Sequence, residues 1–293
     1  MKTGDVIKMD SPRPSSLWRD AYRRLIRHRL AVFGAIILAI VMVTAIFGPA
    51  IAPYSPETMD FSARFAPPST KHFLGTDDFG RDTFSRIIYG ARVSVVVGII
   101  AVGIAATIGS FLGLIAGYSS RLADEIIMRS MDILYSFPAI LLAIAILAAL
   151  GRGVGNAMVA IGIVYIPIFA RITRGAVLGV RNEDFILAAE ALGASRSRIL
   201  FSHILPNVLS PIIVETTLSL AFAILAEAAL SFFGLGSQPP EASWGRMLSE
   251  GRSFFRQSAW MGIFPGLAIM LTVMGFNFLG DGLRDALDPR LRR

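Results

Sequence analysis

Val93-Ser-Val-Val-Val-Gly-Ile-Ile-Ala-Val-Gly-Ile-Ala-Ala-Thr-Ile-Gly-Ser-Phe-Leu-Gly-Leu-Ile-Ala-Gly-Tyr-Ser-Ser120 contains no Asp, Glu, Lys or Arg. A helix rises 1.5 Å per residue, so about 20 apolar residues cover the ~30 Å of bilayer hydrocarbon. This stretch is long enough to cross. Within it Gly109, Gly113 and Gly117 fall on one helix face, where the missing side chains let another helix approach closely. Working outward, Leu30 to Pro56, Ile133 to Gly151, Gly153 to Ala170 and Gln257 to Gly280 are equally uncharged. Ser210 to Phe232 is broken only by Glu215 and Glu227. The pattern predicts an all-α, polytopic protein with six transmembrane helices.

Composition agrees. Of 293 residues, 54% are hydrophobic and 17% charged, against roughly 25% charged in soluble domains, and the mean hydropathy is +0.62. Lipid is the expected solvent. The chain has no Cys, which excludes disulfides and thiolate chemistry, and its His residues, at 28, 72 and 203, are too scattered to predict a metal site. The first apolar run follows a polar tail and exceeds a signal-peptide core, so it is expected to stay as an anchor.

Six crossings place both termini on one side, together with 19 of the 28 Lys and Arg. That side is expected to be cytoplasmic. The basic residues are spread over several loops, which argues against nucleic acid as a partner. The expected organisation is a cytoplasmic tail (1–29), a first membrane helix (30–52) and an extracytoplasmic segment (53–90). A transmembrane core (91–283) containing an inner loop (175–207) and a short cytoplasmic tail (284–293) follow.

Catalytic signatures are missing. The chain has no GxxxxGK followed by Ser or Thr, no HExxH and no GxSxG, and no Lys after Lys71. An ion-coupled carrier or channel, the different-class alternative, would set acids or cations in several helices. Here only Glu215 and Glu227 qualify, and they lie ~18 Å apart on an ideal helix. Each is a candidate contact on a translocation path or gate, or alternatively a helix–helix hydrogen bond.

The inner loop reads Asn182-Glu-Asp-Phe-Ile-Leu-Ala-Ala-Glu-Ala-Leu-Gly193, then Ala-Ser-Arg-Ser-Arg-Ile-Leu-Phe-Ser-His203-Ile-Leu-Pro206-Asn207. Asp184 is the expected cap of a short helix that Gly193 breaks. Phe185, Leu187, Ala188 and Leu192 make it amphipathic, fit either for a lipid surface or for a partner's groove. A second short helix is expected from Ser195 into Pro206.

This loop resembles that of ABC importer permeases, whose pattern is EAA, three residues, Gly, nine residues, Ile, one residue, Leu-Pro. Ala188, Ala189, Gly193, Leu205 and Pro206 match it, while Leu187 replaces the Glu and His203 the Ile. Further motifs resemble the C-type permeases of the dipeptide/oligopeptide/nickel branch: Gly75-Thr-Asp-Asp-Phe-Gly-Arg-Asp-Thr-Phe-Ser-Arg86 with Tyr89-Gly-Ala-Arg92, Leu230-Ser-Phe-Phe-Gly-Leu-Gly-Ser-Gln-Pro-Pro240 with Ser243-Trp-Gly245, and Gly280-Asp-Gly-Leu-Arg-Asp-Ala-Leu-Asp-Pro-Arg290.

The resemblance implies a type I ABC importer transmembrane domain in a bacterial or archaeal plasma membrane. It implies a B-type permease as heterodimer partner, two cytosolic ATPases that use ATP and Mg, and an extracytoplasmic binding protein that delivers di- or oligopeptides. Nickel or another small solute is the alternative cargo. No cofactor or metal is expected on this chain. Leu187, Ala188, Ala189, Glu190, Gly193, Ala194, Ser195, Leu205 and Pro206 would couple to an ATPase. Asp77, Asp78, Arg81, Asp82 and Trp244 would form an outer docking surface or gate. The structural alternatives are a helix capped by Thr76 or Asp77, and a membrane-interface anchor at Trp244.

Overall fold

The computed structural model describes residues 17–287, and among them it contains helices and no strand. α1 (Leu17–Leu25) leads into α2 (Arg29–Ile51), which His28 caps by accepting a hydrogen bond from the Ala31 amide at 3.1 Å. After an irregular segment come α3 (Thr83–Tyr118), α4 (Arg121–Tyr135), α5 (Ala139–Leu150) and α6 (Val154–Val180). The short α7 (Asp184–Ala191) and α8 (Arg196–Arg198) follow, and a π-helical turn (Ile199–Ile204) joins α8 to α9 (Leu205–Phe232). α10 (Trp244–Ser253) and α11 (Trp260–Leu287) complete the described chain.

Five of these helices are long and apolar enough to cross a membrane: α2, α3, α6, α11 and the continuous run Arg196–Phe232. The third uncharged run is not one straight span. Ser136 ends α4, Pro138 starts α5, and the two helices are bent by 91°. The cause is local: a proline clashes with a helical residue before it and offers no N–H to the preceding turn. α5 alone, with 12 residues, covers only ~18 Å. The pair still carries the chain across. α4 begins beside the end of α3, and past α5 the Gly153 amide donates to the Leu235 carbonyl at the far end of α9.

The short helix expected from Ser195 into Pro206 is continuous with the fifth span. Pro206 has no amide to offer, and the chain absorbs that loss in the wide π turn before it, so the helix runs through. α3 begins at Thr83, inside the stretch expected to be extracytoplasmic.

α3 is the central post. Its glycine face lies along α6, and the two helices run in parallel, with Gly109 near Ile166 and Phe169, Gly113 near Ala170 and Thr173, and Gly117 near Val177. A Cβ on Gly109 would stand 2.6 Å from the Ile166 carbonyl oxygen. Lipid tails are as apolar as Leu, so close backbone packing of this kind is what holds membrane helices together. Against α9, which runs the other way, Gly98 of α3 meets Ile224. α2 sits at the periphery. It buries only Ala31, Gly34, Leu38, Ala45 and Gly48, and most of its remaining large side chains, among them Ile36, Ile40 and Phe47, are exposed.

Candidate functional site

At the end of the bundle where α3 finishes, α7 stands off the long helices as a short handle. Its root is apolar: Ile186 is fully buried in one cluster with Ile199, Ile204 and Val208, and Ala189 and Ala194 pack against that cluster. Its tip is also apolar but uncovered. Phe185, Leu187 and Leu192 are exposed, Leu192 to 89%. Gly193 stops the helix with φ at +76°, a backbone region that glycine enters without a Cβ penalty. The expected cap at Asp184 is not formed. Glu183 occupies the cap position without a side-chain bond, and Asp184 sits in the first helical turn, where its charge complements the helix dipole.

The handle is tied to the spans by polar bonds as well. Tyr118, the last residue of α3, donates to Glu190 Oε1 at 3.0 Å, and Arg181 donates to the Gly117 carbonyl at 3.2 Å. Ser195 caps α8, Leu205 is partly buried and Pro206 is exposed.

The two intramembrane acids differ. Glu227 is 1% exposed and accepts hydrogen bonds from Ser94 of α3 at 3.0 Å and from Ser231 of its own helix at 2.7 Å. The bond to Ser94 is a helix–helix hydrogen bond between α3 and α9. Glu215 is half-buried and accepts from Ser219 at 2.9 Å, one turn along.

At the opposite end, the residues expected to form a docking surface are mostly interior. Asp77, Arg81 and Asp82 are buried, and Trp244 is 2% exposed, with its indole N–H donating to the Ile87 carbonyl at 2.9 Å. Trp244 therefore presents almost no surface of its own to a partner or to lipid. It is a core side chain that rests on Gly90 of α3, where the missing Cβ makes room for the ring. The cap of α3 is Asp82, which accepts from the Ser85 amide at 2.8 Å, and not Thr76 or Asp77. Those two shape the loop ahead of it: Thr76 bridges to Asp82, and Asp77 accepts from the Phe79 and Arg81 amides at 2.9 Å each.

The buried charges are paired. Asp77 Oδ2 accepts from Arg81 Nε and from Arg86 Nη1, both at 2.6 Å. Glu250 of α10 accepts from Arg86 at 3.0 Å, Arg246 at 2.8 Å and Arg81 at 3.4 Å. His72 Nδ1 lies 2.9 Å from Asp82 Oδ1. Asp78 is the strained member: burial first, and then the negative charge of Asp77, push its carboxyl above the usual aspartate range, although Arg81 opposes the shift. The sequence signal for Glu250 was Arg86 itself. A guanidinium 1% exposed on a spanning helix must find an acid, and α10 supplies it.

Comparison with known proteins gives a consistent result. The family model described as binding-protein-dependent transport system inner membrane component matches residues 109–293. A second, the N-terminal transmembrane domain of oligopeptide transport permease C, matches residues 16–68. The dipeptide transport system permease protein DppC of Alkalihalophilus pseudofirmus is 48% identical over 100% of both chains. The probable D,D-dipeptide transport system permease protein DdpC of Escherichia coli is 46% identical over 89% of this chain and 88% of its own. Among solved structures, the inward-facing MetNI methionine ABC transporter superposes with a TM-score of 0.59 at 18% identity, over 69% of this chain and 96% of that one. At that identity the likeness concerns the fold.

Proposed function

Because the chain belongs to the family of binding-protein-dependent transport system inner membrane components, with the fold of a type I ABC importer transmembrane domain, we propose that it forms half of a translocation pathway for di- or oligopeptides. The other half would be a B-type permease in a heterodimer. A binding protein would deliver the peptide from outside, and two cytosolic ATPases would supply the ATP and Mg chemistry. The family assignment replaces the carrier or channel alternative. Lys and Arg concentrated beside α1, α4, α7 and the end of α11 support a cytoplasmic position for that end and for both termini.

The observation that carries the mechanism is the α7 handle. Its exposed Phe185, Leu187 and Leu192 form an apolar knob of the kind that fills a groove in a partner. Its buried Ile186 and the Tyr118–Glu190 bond make it move with the spans. ATP-driven closure of the ATPases would then shift the handle as a rigid body and bias the bundle between two packed arrangements. Leu187, Ala188, Glu190 and Ser195 lie on its exposed side, where they can touch an ATPase, whereas Ala189, Ala194 and Leu205 hold its base.

The test is reconstitution of the complete importer in vesicles with its binding protein. Uptake of a radiolabelled dipeptide is expected only when ATP is present on the ATPase side. Peptide uptake without ATPase subunits, or no uptake of any peptide by an assembly that hydrolyses ATP, would overturn the reading.

A further inference from the structure

α9 ends at Phe232 and α11 begins at Trp260, at the same end of the bundle, and α10 packs on both. Ser249 of α10 donates to the Phe232 carbonyl at 2.8 Å, and Gly251 lies against Met261 and Gly262. Where the three helices meet, Phe232, Leu248, Arg252, Phe255, Gly262 and Ile263 line a groove of about 310 Å³. A Cβ on Gly262 would already touch the Phe255 ring at 3.5 Å, so the glycine keeps the groove open. From there Ile263, Leu267 and Met270, all exposed, continue down one face of α11 at helical spacing. An apolar stripe therefore runs from the groove along a spanning helix.

Arg252 is the one charged residue in that lining, and it sits in the last turn of α10. Its guanidinium lies over the Phe232 ring, 5.2 Å from the centroid. Stacking engages the guanidinium face and leaves its N–H edge free. Among the described residues no carboxylate pairs with it. Glu250, two positions earlier, is taken by Arg81, Arg86 and Arg246. Arg256, exposed in the turn before α11, adds a second positive charge to the segment. A basic residue near the end of a span can simply reach out to water, but that role needs neither the ring nor the groove.

We propose that this groove binds one anionic phospholipid, with its phosphate on Arg252 and an acyl chain in the groove and along Ile263, Leu267 and Met270. The proposal goes beyond the transport reading and holds whichever solute is carried. Depth and charge commit the occupant. The ends of two spans set Arg252 at headgroup level, and its planar fork of donors matches a phosphate. Basic pockets between membrane helices take lipid head groups in this way. A free phosphate would leave the groove uncovered. A zwitterionic lipid would bring an ammonium group that a lining without an acid cannot pair.

The test uses the complete importer, delipidated in detergent and titrated with phosphatidylglycerol or phosphatidylcholine, with bound lipid counted by native mass spectrometry. Phosphatidylglycerol should bind saturably and more tightly than phosphatidylcholine. Arg252→Gln should lower the affinity for one bound phosphatidylglycerol about fivefold, the worth of one basic residue at a membrane surface, and leave phosphatidylcholine unchanged. Phe255→Ala, which removes a wall of the groove, should weaken both. Both side chains are exposed, so thermal midpoints should stay at the wild-type value. Equal affinity for the two lipids, or phosphatidylglycerol binding that ignores Arg252→Gln, overturns the proposal. Competition by glycerol phosphate at the concentrations at which the lipid binds does so too, since the groove would then play no part. Ile263→Cys carrying a benzophenone, in a chain with no other Cys, should cross-link to lipid in vesicles. A cross-link to another subunit would place a protein on this face, and the proposal would fall.

Discussion

Arg86, the fourth residue of α3, donates to Glu250 of α10 at 3.0 Å across 164 positions of sequence. The pair fastens the outer loop, the top of α3 and α10 into one block, because Arg81 and Arg246 reach the same carboxylate. Removing one partner of a buried pair strands the other charge. Glu250→Ala should therefore cost about 3–5 kcal/mol of stability, toward the lower end because Glu250 is only partly buried. Glu250→Gln should cost less. Thermal unfolding of the detergent-solubilised chain, with proteolysis of the outer loop as a local probe, measures both.

Asp78 makes a second prediction about the same block. Its carboxyl is pushed above the usual aspartate range, so between that range and the raised value the folded protein holds a proton that the unfolded chain has released. Stability therefore falls as pH rises through this window and is lowest above it. Asp78→Asn should raise the thermal midpoint at neutral pH and flatten its dependence on pH in the acidic range. An unchanged pH profile would show that Arg81 already neutralises the carboxylate.

The glycine face predicts a contrast within one helix. A Cβ at Gly113 would collide with the Ala170 carbonyl and the Thr173 Cβ, whereas one at Gly103 meets nothing within 4 Å. Gly113→Ala should cost about 1–3 kcal/mol through separation of α3 and α6. Gly103→Ala should be neutral or stabilise by up to about 1 kcal/mol. Unfolding midpoints of the two variants, measured side by side, provide the check.

Gly193 tests the handle's shape. A Cβ at Gly193 meets nothing within 4 Å, although its φ is +76°, so Gly193→Ala pays chiefly the left-handed backbone penalty of about 1–2 kcal/mol. The variant should insert and assemble, but with α7 re-aimed it should lose substrate-stimulated ATP turnover. Co-purification of the ATPases and turnover in vesicles distinguish loss of coupling from loss of assembly.

The spans were legible because a single charge is costly in lipid, which makes uncharged runs such as Val93 to Ser120 unambiguous. Gly109, Gly113 and Gly117 announced a close helix contact and make one with α6. What stayed hidden depends on partners remote in sequence. Pro138 lies within an uncharged run, and hydropathy alone does not register the 91° bend. Asp77, Arg81 and Trp244 look like surface residues in a loop until Glu250 and Gly90 are seen to receive them. Thr76 and Asp77 look like the caps on paper, and the three-dimensional register of the loop gives that place to Asp82 instead.

The central claim is that partner ATPases drive this permease through the exposed tip of α7. The most direct measurement is ATP-dependent dipeptide uptake, with peptide-stimulated ATP turnover, by vesicles carrying the importer with Phe185→Ser and Leu192→Ser together. Both side chains are exposed, so the chain itself should unfold within about 0.5 kcal/mol of wild type for each change. Uptake and stimulated turnover should fall together by at least about tenfold. Undiminished uptake and turnover in the doubly substituted importer would contradict the account.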